Sequence, residues 1–176
     1  MLGSMSELWR ELPLFGRPRG DESDVGGGWA TELAAVRAAA EDALRAHPDP
    51  DAAAAFDAAL RSPRAPRPRR DGRPRRIRLA ELDRAVYAYL ELCTRIGAEP
   101  RLPDRATGAV VLGRAASAPT EIRAVIAGHT LRASDADWSF GRGPVLEDTA
   151  VALLEFLGKR SMRAPHPAPD ERSDRP

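Results

Sequence analysis

The chain is short of most of what catalytic and metal-binding sites are built from. Cys93 is the only cysteine, which excludes an intrachain disulfide and any zinc or iron–sulfur site made of several cysteines. Aromatic residues make up 5% of the 176, so rings can supply little of the packing. No run of 15–20 apolar residues exists, and no basic region precedes an apolar stretch at the N-terminus. Neither a membrane span nor secretion is therefore indicated, and a cytoplasmic location is the expectation. Lysine is nearly missing: Lys159 stands alone among 27 basic residues. Arginine in its place, with much alanine and 16 prolines, matches the codon bias of a GC-rich genome.

What is present is unevenly spread. Between Arg61 and Arg78 the chain reads RSPRAPRPRRDGRPRRIR, nine arginines against Asp71 as the sole acid. That local charge of +8 leaves −7 for the remainder, against a formal total of +1. Prolines at 63, 66, 68 and 74 fix φ and remove backbone donors, while neighbouring like charges repel, so residues 61–78 read as an extended, solvated linker. Polar segments at either end reduce the part able to offset its ordering entropy to roughly 110–130 residues. These are a flexible N-terminal segment over 1–28 and a Pro-, Arg- and Asp-rich disordered tail over 161–176.

The periodicity predicts helices for most of the rest. Trp29, Leu33, Val36, Ala40 and Leu44 make one apolar stripe over 29–46, ended by His47–Pro48–Asp49–Pro50. Asp51 is the expected cap of a second short helix to Leu60, with Phe56 inward, giving a helical hairpin over 29–60. Leu79, Leu82, Val86, Tyr89, Cys93 and Ile96 follow at 3-4-3-4-3 spacing, with Glu91 and Arg95 as an exposed pair and Gly97 as the stop. Cys93 lies on that seam, where an apolar setting makes a thiol inert. Ala109–Leu112 fits a strand or a helix. Ser117 is read as the cap of a turn leading to Ile122, Val125 and Ile126.

His129–Ser134 and the Trp138–Phe140 stretch read as two strands joined by the loop Asp135–Ala136–Asp137, with a turn at Gly141–Pro144. Glu147 and Asp148 are expected at the N-terminus of a last helix that Gly158 closes. The fold class is thus α+β, mainly helical, with a small β-hairpin and a C-terminal helix in a domain over 79–160.

Few constellations carry chemistry. His129, Asp135 and Asp137 are the metal candidates, yet two of the three are standard turn residues. A Ser/His/Asp arrangement drawn from Ser134, Ser139 and these residues lacks a nucleophile elbow and an oxyanion element. Gly141 and Gly143 lack the third glycine and the lysine of a phosphate loop. Trp138 and Phe140 suit a core better than a nucleobase platform. No cofactor motif is present, and no catalytic residue can be assigned.

Two surfaces remain. Leu8, Leu12 and Phe15 fall at i, i+4, i+7 beside Trp9, an amphipathic turn or two fitted to dock into a groove, its own or a partner's. Arg64, Arg67, Arg69, Arg70, Arg73, Arg75, Arg76 and Arg78 suit contact with phosphates or another polyanion.

Residues 126–160, IAGHTLRASDADWSFGRGPVLEDTAVALLEFLGKR, resemble the C-terminal domain of the mycothiol-dependent maleylpyruvate isomerase family of actinobacteria. The resemblance rests on a Leu- and Arg-bearing strand (Leu131 to Ala133), an Asp-x-Asp-Trp turn (Asp135 to Trp138), a Gly-x-Gly-Pro hairpin (Gly141 to Pro144) and a small-residue helix (Glu147 to Gly158). Family chemistry belongs to an N-terminal four-helix bundle with histidine and carboxylate metal ligands. Residues 1–100 here contain one histidine, His47, and no histidine–acid pair on a helix. The resemblance therefore implies a non-catalytic or rearranged relative.

Three functions follow: a non-catalytic binding or regulatory protein working through protein contacts, a nucleic-acid-associated protein, and a relative of the isomerases that keeps some activity. The second makes a direct prediction. Affinity for nucleic acid should fall at least tenfold between low and moderate salt, and again when Arg69, Arg70, Arg75 and Arg76 become glutamine. A titration unchanged by both would remove it.

Overall fold

The 3-4-3-4-3 spacing ending at Ile96 does produce a helix with a buried seam, but more of its surface is covered than a seam requires. The computed structural model describes residues 28–61 and 77–169. In it α3 (Leu79–Ile96) buries Ala85, Leu90 and Leu92 as well as Leu82, Val86, Tyr89 and Cys93. Three other helices rest on it: α1 (Ala30–Ala46), α2 (Pro50–Leu60) and α4 (Asp104–Ala116). Residues on both sides of the Arg/Pro-rich stretch consequently share one hydrophobic core, from Val36 and Phe56 to Leu153 and Leu157. The N–H of Trp29 also donates to the carbonyl of Ile77 at 3.4 Å, bringing the start of α1 beside the residues that lead into α3.

The class is α+β and mainly helical, as the pattern predicts. After α4 come α5 (Thr120–Ile126), β1 (Thr130–Ala133), β2 (Ser139–Gly141), β3 (Val145–Asp148), α6 (Ala150–Leu157) and β4 (His166–Pro167). The expected hairpin is β1 with β2, antiparallel, with Leu131 opposite Phe140. Gly97 ends α3 at φ 67°, and the N–H of Ala98 reaches back to the carbonyl of Cys93 at 2.9 Å, a left-handed stop that glycine makes without strain.

Several local expectations are corrected. Asp49, not Asp51, caps α2: its Oδ1 accepts from the N–H of Ala52 at 2.9 Å. Pro50 lacks a backbone donor and suits the first helical position, which moves the cap back two residues. Ser117 does not cap α5; its hydroxyl donates to the carbonyl of Gly113 at 2.9 Å, closing the end of α4. Ala109–Leu112 lies within α4. Glu91 and Arg95 do not pair with each other, because Arg160 approaches Glu91 at 2.6 Å and Arg95 approaches Asp49 at 3.4 Å.

The sheet is larger than one hairpin. Its strand order is β2-β1-β3-β4, with β3 parallel to β1. Glu147 and Asp148 belong to β3 and not to the first turn of α6, whose cap is Thr149. Residues 161–169, expected as the start of a disordered tail, instead bury Pro165 and pair His166 and Pro167 antiparallel with β3. Pro167 lies at an edge, where a missing donor costs the ladder nothing.

Tyr87 joins α3 to α6. Its hydroxyl donates to the carbonyl of Leu154 at 2.5 Å, and the guanidinium of Arg114, held by two bonds to Asp83 (2.6 and 2.7 Å), lies 4.5 Å from its ring centroid. Burial is the main influence on the phenol and pushes its pKa up to about 12, with Arg114 acting in the opposite sense. A raised folded-state pKa stabilises the fold below the unfolded value of about 10, and that contribution is lost as pH rises through the folded value. Ultraviolet titration should therefore show a tyrosinate forming near pH 12 that is absent in Tyr87→Phe, where only Tyr89, itself raised by burial, remains. The same substitution should cost about 0.5–1.5 kcal/mol in urea unfolding at neutral pH. An unaltered titration curve would contradict this placement of Tyr87.

Candidate functional site

The three residues considered for a metal do not converge. Asp135 Oδ1 accepts from the N–H of Ala150 at 2.7 Å, so this carboxylate serves the N-terminus of α6 from the hairpin loop. The backbone N–H of Asp137 donates to Asp104 Oδ2 at 3.1 Å, tying the same loop to α4. His129 Nδ1 lies 3.0 Å from the carbonyl of Ala127, in its own turn. Among the described residues no group of three His, Cys, Asp or Glu side chains is placed to hold a metal ion. His166 lies 3.6 Å from Asp148 on the β3–β4 side of the sheet, away from His129 in the turn before β1.

Trp138 and Phe140 stack on each other with centroids 5.4 Å apart. The indole N–H of Trp138 donates to Thr107 Oγ1 at 3.0 Å, and Gly108 leaves the space its ring occupies, since a Cβ there would meet Trp138 at 3.1 Å. The pair is thus packing between sheet and α4. Cys93 is buried, and burial raises its thiol above the ordinary value, so it lacks the thiolate a nucleophile needs.

The geometry offers something else. α1 and α2 each pack on α3 but scarcely on one another. Where they face each other, two alanines, two leucines, Phe56 and four charged residues leave the space between them open. A groove of about 630 Å³ results, lined by Ala40, Leu44, Ala53, Phe56 and Leu60, with Arg37, Glu41, Asp57 and Arg61 on its rim. Phe56 and Ala40 are buried at its floor, Leu44, Ala53 and Leu60 are half-buried, and all four charged residues are exposed. An apolar floor between charges of both signs is suited to receive an amphipathic segment.

Sequence reasoning places Leu44, Phe56 and Leu60 in the packing but misses the groove. No short-range signal marks it, because the space depends on how the two helices sit on α3. Of the other predicted surfaces, Leu8, Trp9, Leu12 and Phe15 lie outside the described residues, as do Arg64, Arg67, Arg69, Arg70, Arg73, Arg75 and Arg76. Arg78 is described and exposed at the start of α3, where its backbone N–H donates to Glu81 Oε2 at 3.4 Å. No described helix is long and apolar enough to cross a membrane. Family models, curated proteins and solved structures give no match to this chain.

One groove wall, α2, depends on Asp49. The N–H of Ala52 holds the Asp49 carboxyl below the usual carboxylate range, aided by Arg95. A lowered folded-state pKa stabilises above the unfolded value of about 4, and that help is lost as pH falls through the folded value. Asp49→Ala should lower the thermal midpoint at pH 7, Asp49→Asn should recover only part of the loss, and the wild-type advantage over Asp49→Ala should shrink as pH falls through the lowered carboxyl pKa. Midpoints measured across that range check it; an advantage that persists at low pH would show that Asp49 acts otherwise.

Proposed function

We propose that this chain is a non-catalytic binding protein that works through protein–protein contacts, with the groove between α1 and α2 as the contact surface. One observation carries the reading: two helices seated on α3 leave an apolar trough with a mixed-charge rim unfilled by described side chains. Helix-in-groove recognition needs this combination, an apolar strip for anchors and flanking charges to set orientation. Of the residues that sequence inspection could assemble into a reaction centre, Asp135 has its carboxylate taken up at the N-terminus of α6, and Asp137 ties its loop to α4 through its backbone N–H. The resemblance of residues 126–160 to an isomerase C-terminal domain supports the same reading, because its shared elements are strand, turn and helix and include no catalytic group.

Capture from host extract tests this, using the full chain as bait, with and without nuclease. A protein should be retained by the wild type and lost at least about tenfold, equivalent to 1.4 kcal/mol, by Leu44→Glu/Leu60→Glu. Both positions are half-buried at the groove, and circular dichroism establishes that the variant stays helical. Retention that ignores the double substitution would defeat the groove. Retention that nuclease abolishes would point to the arginines between 61 and 78.

A further inference from the structure

Three stretches of the chain lie outside the described residues: 1–27, 62–76 and 170–176. Only the first contains what the groove lacks. Residues 62–76 hold no apolar residue larger than alanine apart from proline, and residues 170–176 read DERSDRP. Residues 8–15, in contrast, bring Leu8, Trp9, Leu12, Leu14 and Phe15 together in a chain that is otherwise poor in aromatic rings. We infer that the segment Leu8–Phe15 of this same chain is the resident occupant of the groove between α1 and α2, so that the contact surface is covered until a partner displaces it. The inference rests on the groove being a binding surface and adds what sits in it.

Reach permits it. Gly28 adjoins Trp29 and the start of α1, so the segment enters beside one groove wall. The 13 residues from Phe15 to Gly28 can span ~43–47 Å when extended, at 3.3–3.6 Å each. The distance along α1 from Ala30 to Leu44 is only ~21 Å at 1.5 Å per residue. Nothing about the tether forces a second copy to supply the segment, and tethering at this length gives an effective concentration of about millimolar, so modest affinity suffices.

Chemistry permits it too. Leu8 and Leu12 are one helical turn apart, with Trp9 beside them, and Pro13 ends the helical pattern before Leu14 and Phe15. So short a turn cannot sustain itself in water, because nucleation is unfavourable and few bonds follow it. Apolar contact with Ala40, Leu44, Ala53 and Leu60 would supply the missing stabilisation. Glu7 and Glu11, also one turn apart, match Arg37 and Arg61 on the rim, and Arg10 matches Glu41 and Asp57.

Engineered thiols in the full chain test this. Leu12→Cys paired with Ala53→Cys, a half-buried groove position, should form an intrachain disulfide under mild oxidation at least tenfold faster than Leu12→Cys paired with Arg142→Cys in the β2–β3 turn. Native Cys93 is buried and stays out of the reaction. Equal rates would overturn the inference. Disulfide-linked dimers in place of monomers would overturn it as well, by assigning the groove to another copy. Because a thiol pair can perturb folding, Leu8→Ser/Leu12→Ser provides a second readout: methyl resonances of Leu44, Leu60 and Ala53 should shift relative to wild type, and unmoved resonances would refute occupancy. The outcomes separate this inference from the reading beneath it. Failed cross-linking with groove-dependent capture intact leaves a binding groove with a different occupant. Fast cross-linking without any groove-dependent partner leaves an internal docking site and removes the external one.

Discussion

Burial of α3 on more than one face is the constraint from which the described structure follows. A helix with Leu82, Val86, Tyr89 and Cys93 inward and Ala85, Leu90 and Leu92 also covered cannot be satisfied by one neighbour. It recruits α1 and α2 from before the arginine-rich stretch and α4 from after it. The two halves of the chain are joined because each leaves α3 partly bare without the other. Ion pairs follow the packing: Glu32, itself buried, meets Arg105 between α1 and α4 at 3.0 Å, and Asp83 meets Arg114 between α3 and α4. Pairs this close to the core help set how the helices sit, since an uncompensated buried carboxylate would be costly.

The sheet is fastened to the helices by polar side chains, of which only Asp135 belongs to the cluster that looks like a reaction centre in the sequence. Asp135 crosses from the hairpin loop to the first turn of α6, Asp104 reaches the loop from α4, and the Trp138 indole finds Thr107. Carboxylates committed to backbone donors are held for structure, and they are poorly placed to move protons or bind a cation. Asp135, suggestive in the sequence cluster, and Asp104, outside it, therefore account for how loop, α4 and α6 keep their places.

The remaining feature comes from how α1 and α2 sit on α3: each packs on it and scarcely on the other. The opening between them, with Leu44, Leu60 and Phe56 below and charges of both signs above, is the feature on which the proposed binding role rests.

The helical pattern of residues 29–60 and 79–96, the stop at Gly97, the β1–β2 hairpin and the closing helix were all legible from spacing and turn chemistry, because those signals act over a few residues. Errors fell where two local choices competed, as with Asp49 against Asp51 beside Pro50, or where an acid before a helix could equally end a strand, as with Glu147 and Asp148. What the sequence by itself determined is which faces are apolar and where the helices within 29–60 and 79–96 lie. Tertiary structure alone decided that β3 runs parallel to β1, that residues 166–167 complete the sheet, that Asp135 serves α6, and that α1 and α2 leave a groove. Each of those depends on contacts between residues distant in the chain, and no short-range period or cap encodes the volume left over when three helices meet.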